Sequence, residues 1–174
     1  MKNSNFALRS ILIILLLIGA FLFFLFISKQ KSNSRVDGPL TIEFVSADQK
    51  LLIAKPKSPF KDSITVGILG HYNSSLVDIA VINVRGLVKT DTADFDAILV
   101  MHRWVAGAPI DIVQSFVEKN IESKNKIVML TTSWNGLEKM ENIDAITGAS
   151  IMDDVADFTD RIIKRLDRLL EYKD

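Results

Sequence analysis

Residues 95–120 constrain the fold of this chain most strongly, because they join two different hydrophobic patterns. The apolar run at 97–101 predicts a strand that is buried on both faces of a sheet. A predicted loop at 102–109 follows and carries Trp104. Beyond the loop, apolar residues recur at helical spacing, at Ile110, Val113, Phe116 and Val117. A buried strand, a loop and an amphipathic helix make one βα unit, which indicates an α/β fold.

The alternation of strands and helices continues towards the carboxyl terminus. An apolar run at 126–130 predicts the next strand, and residues 131–142 predict a loop or an irregular helix. A short strand is expected at 143–146 and a helix at 153–172. The apolar stripe of that helix consists of Val155, Phe158, Ile162, Leu166 and Leu169. The second half of the chain therefore predicts a parallel sheet with helices packed against it.

Two sequences, FDAILVMHRWVAGAPIDIVQSFVEKN at 95–120 and KIVMLTTSWNG at 126–136, resemble the third and fourth βα units of flavodoxin-like proteins. The resemblance covers roughly residues 95–172. It implies a three-layer α/β sandwich with a parallel sheet. It also implies an FMN site, because in that family the loop after the third strand binds the isoalloxazine ring with an aromatic residue stacked on it.

The same resemblance assigns residues of this chain to the flavin site. The implied cofactor-binding residues in the two loops are His102, Arg103, Trp104, Gly107, Thr131, Thr132 and Ser133. Trp104 takes the position of the stacking aromatic, and Arg103 would stabilise negative charge on a reduced ring. From the order of the loops, Trp134 and Asn135 are expected at the same rim as Trp104. The alternative is that Trp104 packs as a partly buried surface residue and binds no ligand.

A second candidate flavin site is the sequence DAITGASI at 144–151. It resembles the motif of FMN-binding domains in membrane redox proteins, where FMN is attached by a phosphoester to the last hydroxyl residue. That resemblance implies covalent attachment at Ser150. The alternative is a structural role, in which Ser150 caps the following helix together with Asp153 and Gly148 permits a tight turn.

The first half of the domain predicts a departure from the flavodoxin-like pattern. Residues 40–47 and 50–54 predict two strands of a hairpin, and residues 55–62 a loop. Apolar runs at 64–69 and 77–84 predict two further strands that only seven residues separate. Such a connection is too short for a phosphate-binding loop and the helix that follows it in flavodoxins. We therefore expect the fold to be incomplete or altered in this half.

The amino-terminal segment predicts a membrane anchor. Residues 10–28 contain no charge, and as a helix they would span about 28 Å, close to the ~30 Å hydrocarbon thickness of a bilayer. An uncleaved anchor is favoured over a signal peptide because no suitable cleavage site follows. The chain is thus divided into a short tail at 1–9, the anchor, a linker at 29–39 and a flavodoxin-like domain at 40–174. The short tail favours an exported C-terminal domain.

Composition excludes several classes of function. The chain has no cysteine, which excludes disulfides, thiol catalysis, iron–sulfur clusters and zinc sites built on cysteine. Its 21 basic and 21 acidic residues balance, so nothing indicates a nucleic-acid partner. The histidines, His71 and His102, lack metal-ligand spacing to a carboxylate.

Three functions remain for a flavodoxin-like domain on a membrane anchor. The first is electron transfer with noncovalently bound FMN, in contact with the lipid bilayer through residues 10–28 and with a redox partner protein. The second is a degenerate, cofactor-free domain that acts as a binding or assembly module. The third is an electron carrier flavinylated at Ser150. The segment around Trp104 favours the first function, whereas the short first half favours the second.

Overall fold

A mostly parallel sheet between layers of helices is the framework of the computed structural model, which describes residues 40–42, 49–73 and 77–171. These residues belong to one compact unit, Gly38–Asp174. Its strands and α-helices are, in chain order, β1 (Leu40–Ile42), β2 (Gln49–Lys55), α1 (Pro59–His71), β3 (Val77–Asn83), β4 (Ala97–Val105), β5 (Ala108–Pro109), α2 (Asp111–Lys119), β6 (Ile127–Thr132), β7 (Asp144–Gly148) and α3 (Val155–Leu169). Short 3-10 helices lie at Val84–Lys89, Thr92–Asp94, Ile121–Lys126 and Met152–Asp154.

The order of the strands defines the topology of the sheet. Neighbouring strands follow the order β1-β3-β2-β4-β6-β7, and the short β5 pairs with β4. Strands β2, β3, β4, β6 and β7 are parallel, whereas β1 runs antiparallel beside β3. Numbered along the chain, the parallel strands have the order 2-1-3-4-5, which is compatible with a flavodoxin-like topology. The predicted α/β fold with a parallel sheet is confirmed.

Helices cover both faces of the sheet. On one face, α1 and α3 cover a core that includes Leu51, Leu99, Leu130 and Ile162. Where these two helices meet, the rings of Phe60 and Phe158 pack edge to face with centroids 5.5 Å apart. On the other face, α2 and the 3-10 helix Val84–Lys89 cover a core that includes Ile98, Val100, Phe116 and Met129. The central strands are apolar in their middle because both of their faces are buried.

The predicted hairpin of residues 40–47 and 50–54 is wrong. Strand β1 pairs with β3, where Leu40 lies opposite Val81, and β2 lies in the sheet between β3 and β4. The composition of β2 explains this position, because its buried residues are consecutive and need cover on both faces: Leu51, Leu52, Ile53 and Ala54. Residues 43–47 of the predicted first strand lie outside the described residues.

The predicted strand at 64–69 is also wrong, because these residues belong to α1. Pro59 stands in the first turn of this helix, where proline is favoured. Phe60, Ile64 and Ile68 follow at spacings of four residues, and all are buried in the core. A first βαβ unit, β2–α1–β3, is therefore present, and the predicted lack of its helix is wrong.

Compared with the flavodoxin-like pattern described above, the domain is altered in the connections between its strands. Three residues, Pro56, Lys57 and Ser58, form the whole loop between β2 and α1. In the described chain between β3 and β4, two 3-10 helices stand in place of an α-helix. Between β6 and β7, residues 133–143 form an irregular loop, as predicted.

Residues 102–109, predicted as a loop, form a hairpin that extends the sheet. Strand β4 continues into this segment until Ala106 and Gly107 turn the chain back into β5. Both turn residues have a positive φ, 52° and 81°, as the favoured two-residue hairpin turns require. Glycine adopts this conformation readily, whereas Ala106 is strained in it. Trp104 is consequently a strand residue, opposite Pro109.

The remaining predictions for the second half are confirmed in type and approximate position. Strands β6 and β7 and helix α2 lie where the hydrophobic patterns predicted them. Helix α3 buries Phe158, Ile162 and Leu166 of its predicted apolar stripe. These elements place the carboxyl ends of β4, β6 and β7 side by side.

The predicted anchor at 10–28 and the linker at 29–39 lie outside the described residues. Among the helices of the described ranges, none combines the length and the apolar character that crossing a bilayer requires.

Candidate functional site

A cleft of about 400 Å³ lies at the carboxyl ends of β4, β6 and β7. Its volume is in the range of small-molecule sites, roughly 300–1,000 Å³. The residues that line it are Arg103, Trp104, Thr132, Ser133, Trp134, Ala149, Ser150 and Ile151. The structure therefore brings together five residues of the predicted flavin site: Arg103, Trp104, Thr132, Ser133 and Ser150.

The register of the sheet explains why these segments meet. Arg103 pairs with Thr132, and Thr132 pairs with Gly148, so three parallel strands end side by side. The Ser133 N–H donates to the Gly148 carbonyl at 3.1 Å, which continues the pairing just beyond the end of β6. Open parallel sheets bind ligands outside the carboxyl ends of their strands. The cleft thus lies on the edge of the sheet where a ligand is expected.

Both tryptophans of the chain line the cleft. Trp104 is half-buried against the core that α2 covers. Its Nε1–H is buried and has no hydrogen-bond partner among the described residues. An unpaired buried donor costs about 1–3 kcal/mol. Trp134 is fully exposed, and the cleft therefore offers one packed indole and one solvent-exposed indole.

The loop that carries Trp134 is held by its own polar groups. The Ser133 hydroxyl donates to Oδ1 of Asn135 at 2.9 Å, and a backbone N–H two residues further on donates to the same oxygen at 3.0 Å. Gly136 has a φ of 71°, and a Cβ there would lie 2.9 Å from the backbone nitrogen of Ala149. Only glycine fits at this position. Asn135 thus supports the loop, while Trp134 borders the cleft.

Three predicted residues do not line the cleft. His102 is fully buried, and its Nε2 lies 2.8 Å from the hydroxyl oxygen of Thr131, which is buried as well. Burial lowers the pKa of His102 to about 4; its hydrogen bond with the Arg103 backbone raises the pKa and the charge of Lys61 lowers it. His102 is therefore neutral near pH 7. Gly107 lies in the turn of the β4–β5 hairpin.

Lys61, in the first turn of α1, is a residue of this region that the sequence analysis missed. Only 2% of it is exposed, and its Nζ donates to the Thr132 hydroxyl at 2.8 Å. That hydroxyl donates in turn to the His102 carbonyl at 3.1 Å. Burial, and after it the charge of Arg103, lower the pKa of Lys61 to about 8. The proline at position 59 was a signal for the helix start, but no local pattern indicates that Lys61 is buried.

Ser150 is exposed at the cleft, and the predicted capping role is wrong. The 3-10 helix that follows has Ile151 as its N-cap, and α3 has Asp154, in both cases without a side-chain cap. Gly148, predicted to permit a tight turn, is a residue of β7. A Cβ at this position would overlap the ring of Phe158, so glycine allows α3 to approach the strand closely.

Comparison with known proteins assigns no family to this chain. No protein-family model matches the chain, and no curated protein matches its sequence. The strand order and the chemistry of the cleft are therefore the basis for a function.

Proposed function

We propose that this chain is a membrane-anchored flavodoxin-like protein that binds FMN noncovalently in the cleft and uses it for electron transfer. The main support is the convergence of Arg103, Trp104 and Ser133 on one cleft from two adjacent strands and their connections. Residues 10–28 would anchor the protein in the bilayer. A redox protein would be its partner.

The residues of the cleft fit a flavin in three respects. A planar ring needs an aromatic wall, and Trp104 and Trp134 both border the cleft. The polar edge of the ring needs hydrogen-bonding groups, and Thr132 and Ser133 line the same cleft. The exposed guanidinium of Arg103 would attract the negative charge that FMN carries. FMN would supply the redox chemistry, and these residues would bind and orient it.

Replacement of Trp104 tests this function. In the detergent-purified full-length protein, Trp104→Ala should weaken FMN binding about tenfold or more, because it removes the stacking surface. The measurement is the quenching of FMN fluorescence during titration with protein. The control Trp104→Phe keeps an aromatic ring and should retain more affinity than alanine. If the wild-type protein leaves the spectrum and the fluorescence of added FMN unchanged, the proposed function is wrong.

The exposure of Ser150 favours a second candidate, which is a flavin attached covalently at this residue. Its hydroxyl caps neither of the two helices that follow it, and it borders the cleft. Acid precipitation of protein from cells able to flavinylate distinguishes the two modes of binding. Yellow colour in the supernatant indicates noncovalent FMN, whereas colour in the pellet indicates covalent attachment. The corresponding mass shift on the Ser150 peptide must then be absent from Ser150→Ala.

Apolar residues near the cleft favour a third candidate, which is a cofactor-free binding module. Exposed side chains in the loops after β6 and β7 are Trp134, Leu137, Ile151 and Met152, with exposures of 101%, 77%, 51% and 52%. Grouped exposed apolar residues often mark interaction sites. A colourless protein that does not bind added FMN would support this function over the other two.

A further inference from the structure

We propose that the ligand of the cleft carries an oxyanion such as a phosphate, which binds at Arg103 with Lys61 as a second positive charge beneath the cleft. This inference rests on the proposed function only in placing a ligand in the cleft. It adds the position at which a negatively charged group of that ligand binds.

Strand β4 and helix α1 bring these cations close to the same part of the cleft. Arg103 is exposed and lines the cleft, and it pairs with Thr132 on the neighbouring strand. Thr132 lines the cleft as well, and its hydroxyl accepts the hydrogen bond from Nζ of Lys61 at 2.8 Å. The ammonium group of Lys61 is therefore separated from the lining of the cleft by a single hydroxyl group.

Lys61 has no negative partner in the described part of the protein. Its Nζ forms no ion pair there within 4.0 Å. On its own helix, Asp62 pairs with Lys55. On α3, Asp157 pairs with Arg161 and Asp167 with His71, and Asp160 is exposed. The groups on β4 and β6 that face Lys61 are Arg103, His102 and Thr132, none of which is acidic.

A buried ammonium group without a counter-ion destabilises the folded protein, because burial removes its hydration. The nearby guanidinium of Arg103 adds repulsion, which is part of the reason that the pKa of Lys61 is lowered. A bound oxyanion would supply the missing negative charge to both cations. Two cations of this kind at a cleft therefore indicate an anionic ligand.

The two sides of the cleft differ in charge. The Ser150 side leads into Asp153 and Asp154, which would repel a phosphate. The alternative seat for an anion is the loop between β2 and α1, where Lys57 is exposed. Separate replacement of Lys57 and of Lys61 therefore distinguishes the two candidate positions of the anion.

Binding at this position should depend on pH. The pKa of Lys61 is about 8, so its charge is lost as the pH rises above that value, and affinity for an anion falls. A bound anion would raise this pKa again. Phosphate remains doubly charged throughout this range because its second pKa is about 6. His102 stays neutral in this range, so it does not contribute to the change.

The experiment compares three probes in the full-length protein: FMN, riboflavin, which lacks the phosphate, and inorganic pyrophosphate. Tryptophan fluorescence reports on the cleft, because both tryptophans line it. We expect Lys61→Met to weaken the binding of FMN and of pyrophosphate about tenfold at pH 7 and to leave the binding of riboflavin unchanged. The control Lys57→Met should bind all three like the wild type. The loss of FMN affinity between pH 7 and 9.5 should be absent from Lys61→Met.

The other possible outcomes test the anion site and the flavin function separately. If FMN and riboflavin bind equally and Lys61→Met has no effect, the anion site is wrong and the flavin function stands. The anion site is also wrong if Lys57→Met weakens the binding of FMN and Lys61→Met does not. If pyrophosphate binds in a Lys61-dependent manner and neither flavin binds, the anion site stands and the flavin function is wrong. If equilibrium dialysis detects none of the probes, both are wrong.

Discussion

The middle of β4 and β6 and the residues that follow it, up to His102 and Thr132, are equally buried but chemically different. In the middle, the side chains are apolar and at most 1% exposed: Ile98, Leu99, Val100, Val128, Met129 and Leu130. At the ends, His102, Thr131 and Thr132 are exposed by 0%, 0% and 3%. The two strands thus change from apolar to polar side chains within one residue step, and the side chains stay buried up to His102 and Thr132.

This difference separates the part of the sheet that stabilises the fold from the part that serves the cleft. Each buried apolar side chain in the middle contributes about 1.5–3 kcal/mol. Buried polar groups contribute little even when they are hydrogen-bonded, and a buried charge without a counter-ion is unfavourable. The polar end is satisfied by hydrogen bonds among Lys61, Thr132, His102 and Thr131. The buried polar residues therefore contribute less to stability than the apolar middle does.

The largest expected effect is at the apolar middle. Leu99 is fully buried among residues of β4, α1 and α3. Leu99→Ala should lower the free energy of unfolding by about 3 kcal/mol, because it removes buried methyl groups and leaves a cavity. Urea denaturation followed by circular dichroism measures the change. The matched control is Leu137→Ala, since Leu137 is 77% exposed, and its effect should stay within about 0.5 kcal/mol. Similar losses in both variants would show that burial does not decide the effect.

The second effect is a dependence of stability on pH at the polar end. The pKa of His102 is lowered from 6.5 to about 4 in the folded protein. Below pH 6.5 the unfolded chain therefore binds a proton that the folded protein does not, and stability falls as the pH falls towards 4. The total loss from this group is about 3 kcal/mol.

Two measurements check the titration of His102. The ring resonances of His102 in an NMR titration should stay those of a neutral imidazole down to about pH 5. The loss of stability between pH 6.5 and 4.5 should be smaller in His102→Gln than in the wild type, because the other acids of the protein titrate alike in both. A His102 ring that titrates near its ordinary pKa would contradict the burial of this side chain.

Local periodicity explains which parts of the fold were predictable. Helix α3 has a long stripe of apolar residues at helical spacing, and β4 begins with an uninterrupted apolar run, so both were predicted correctly. The run at 64–69 is too short to distinguish a strand from a helix, and it was assigned to the wrong type. Its helical form depends on the packing of Phe60, Ile64 and Ile68 against the sheet and α3.

The candidate site was predictable where its residues follow a strand, and not where a contact joins distant segments. Arg103, Trp104 and Ser133 stand at the ends of predicted strands, and all three line the cleft. Lys61 is 71 residues away in sequence from its hydrogen-bond partner Thr132. No local pattern predicts such a contact.

The smallest expected effect, and the one that most directly compares the two regions, is an increase in stability from removal of the Lys61 charge. Lys61→Met replaces a buried ammonium group with an apolar side chain of similar length, so the polar end would resemble the apolar middle. The free energy of unfolding at pH 7 should rise by about 1–2 kcal/mol. The substitution removes the cost of burying the ammonium group, and the loss of its hydrogen bond to Thr132 offsets part of that gain. Urea denaturation measures this rise, and Lys57→Met, at an exposed position, should change stability by less than about 0.5 kcal/mol.

The pH dependence of the wild type gives an independent check on Lys61. Its pKa is lowered from 10.5 to about 8 in the folded protein, so between these values the unfolded chain binds the additional proton. The contribution of this group to stability therefore rises as the pH increases from 8 to 10.5 and is complete above that range. This rise should be absent from Lys61→Met. A variant that is less stable than the wild type at pH 7 would show instead that the hydrogen bond to Thr132 outweighs the buried charge, and that the polar end stabilises the fold as the apolar middle does.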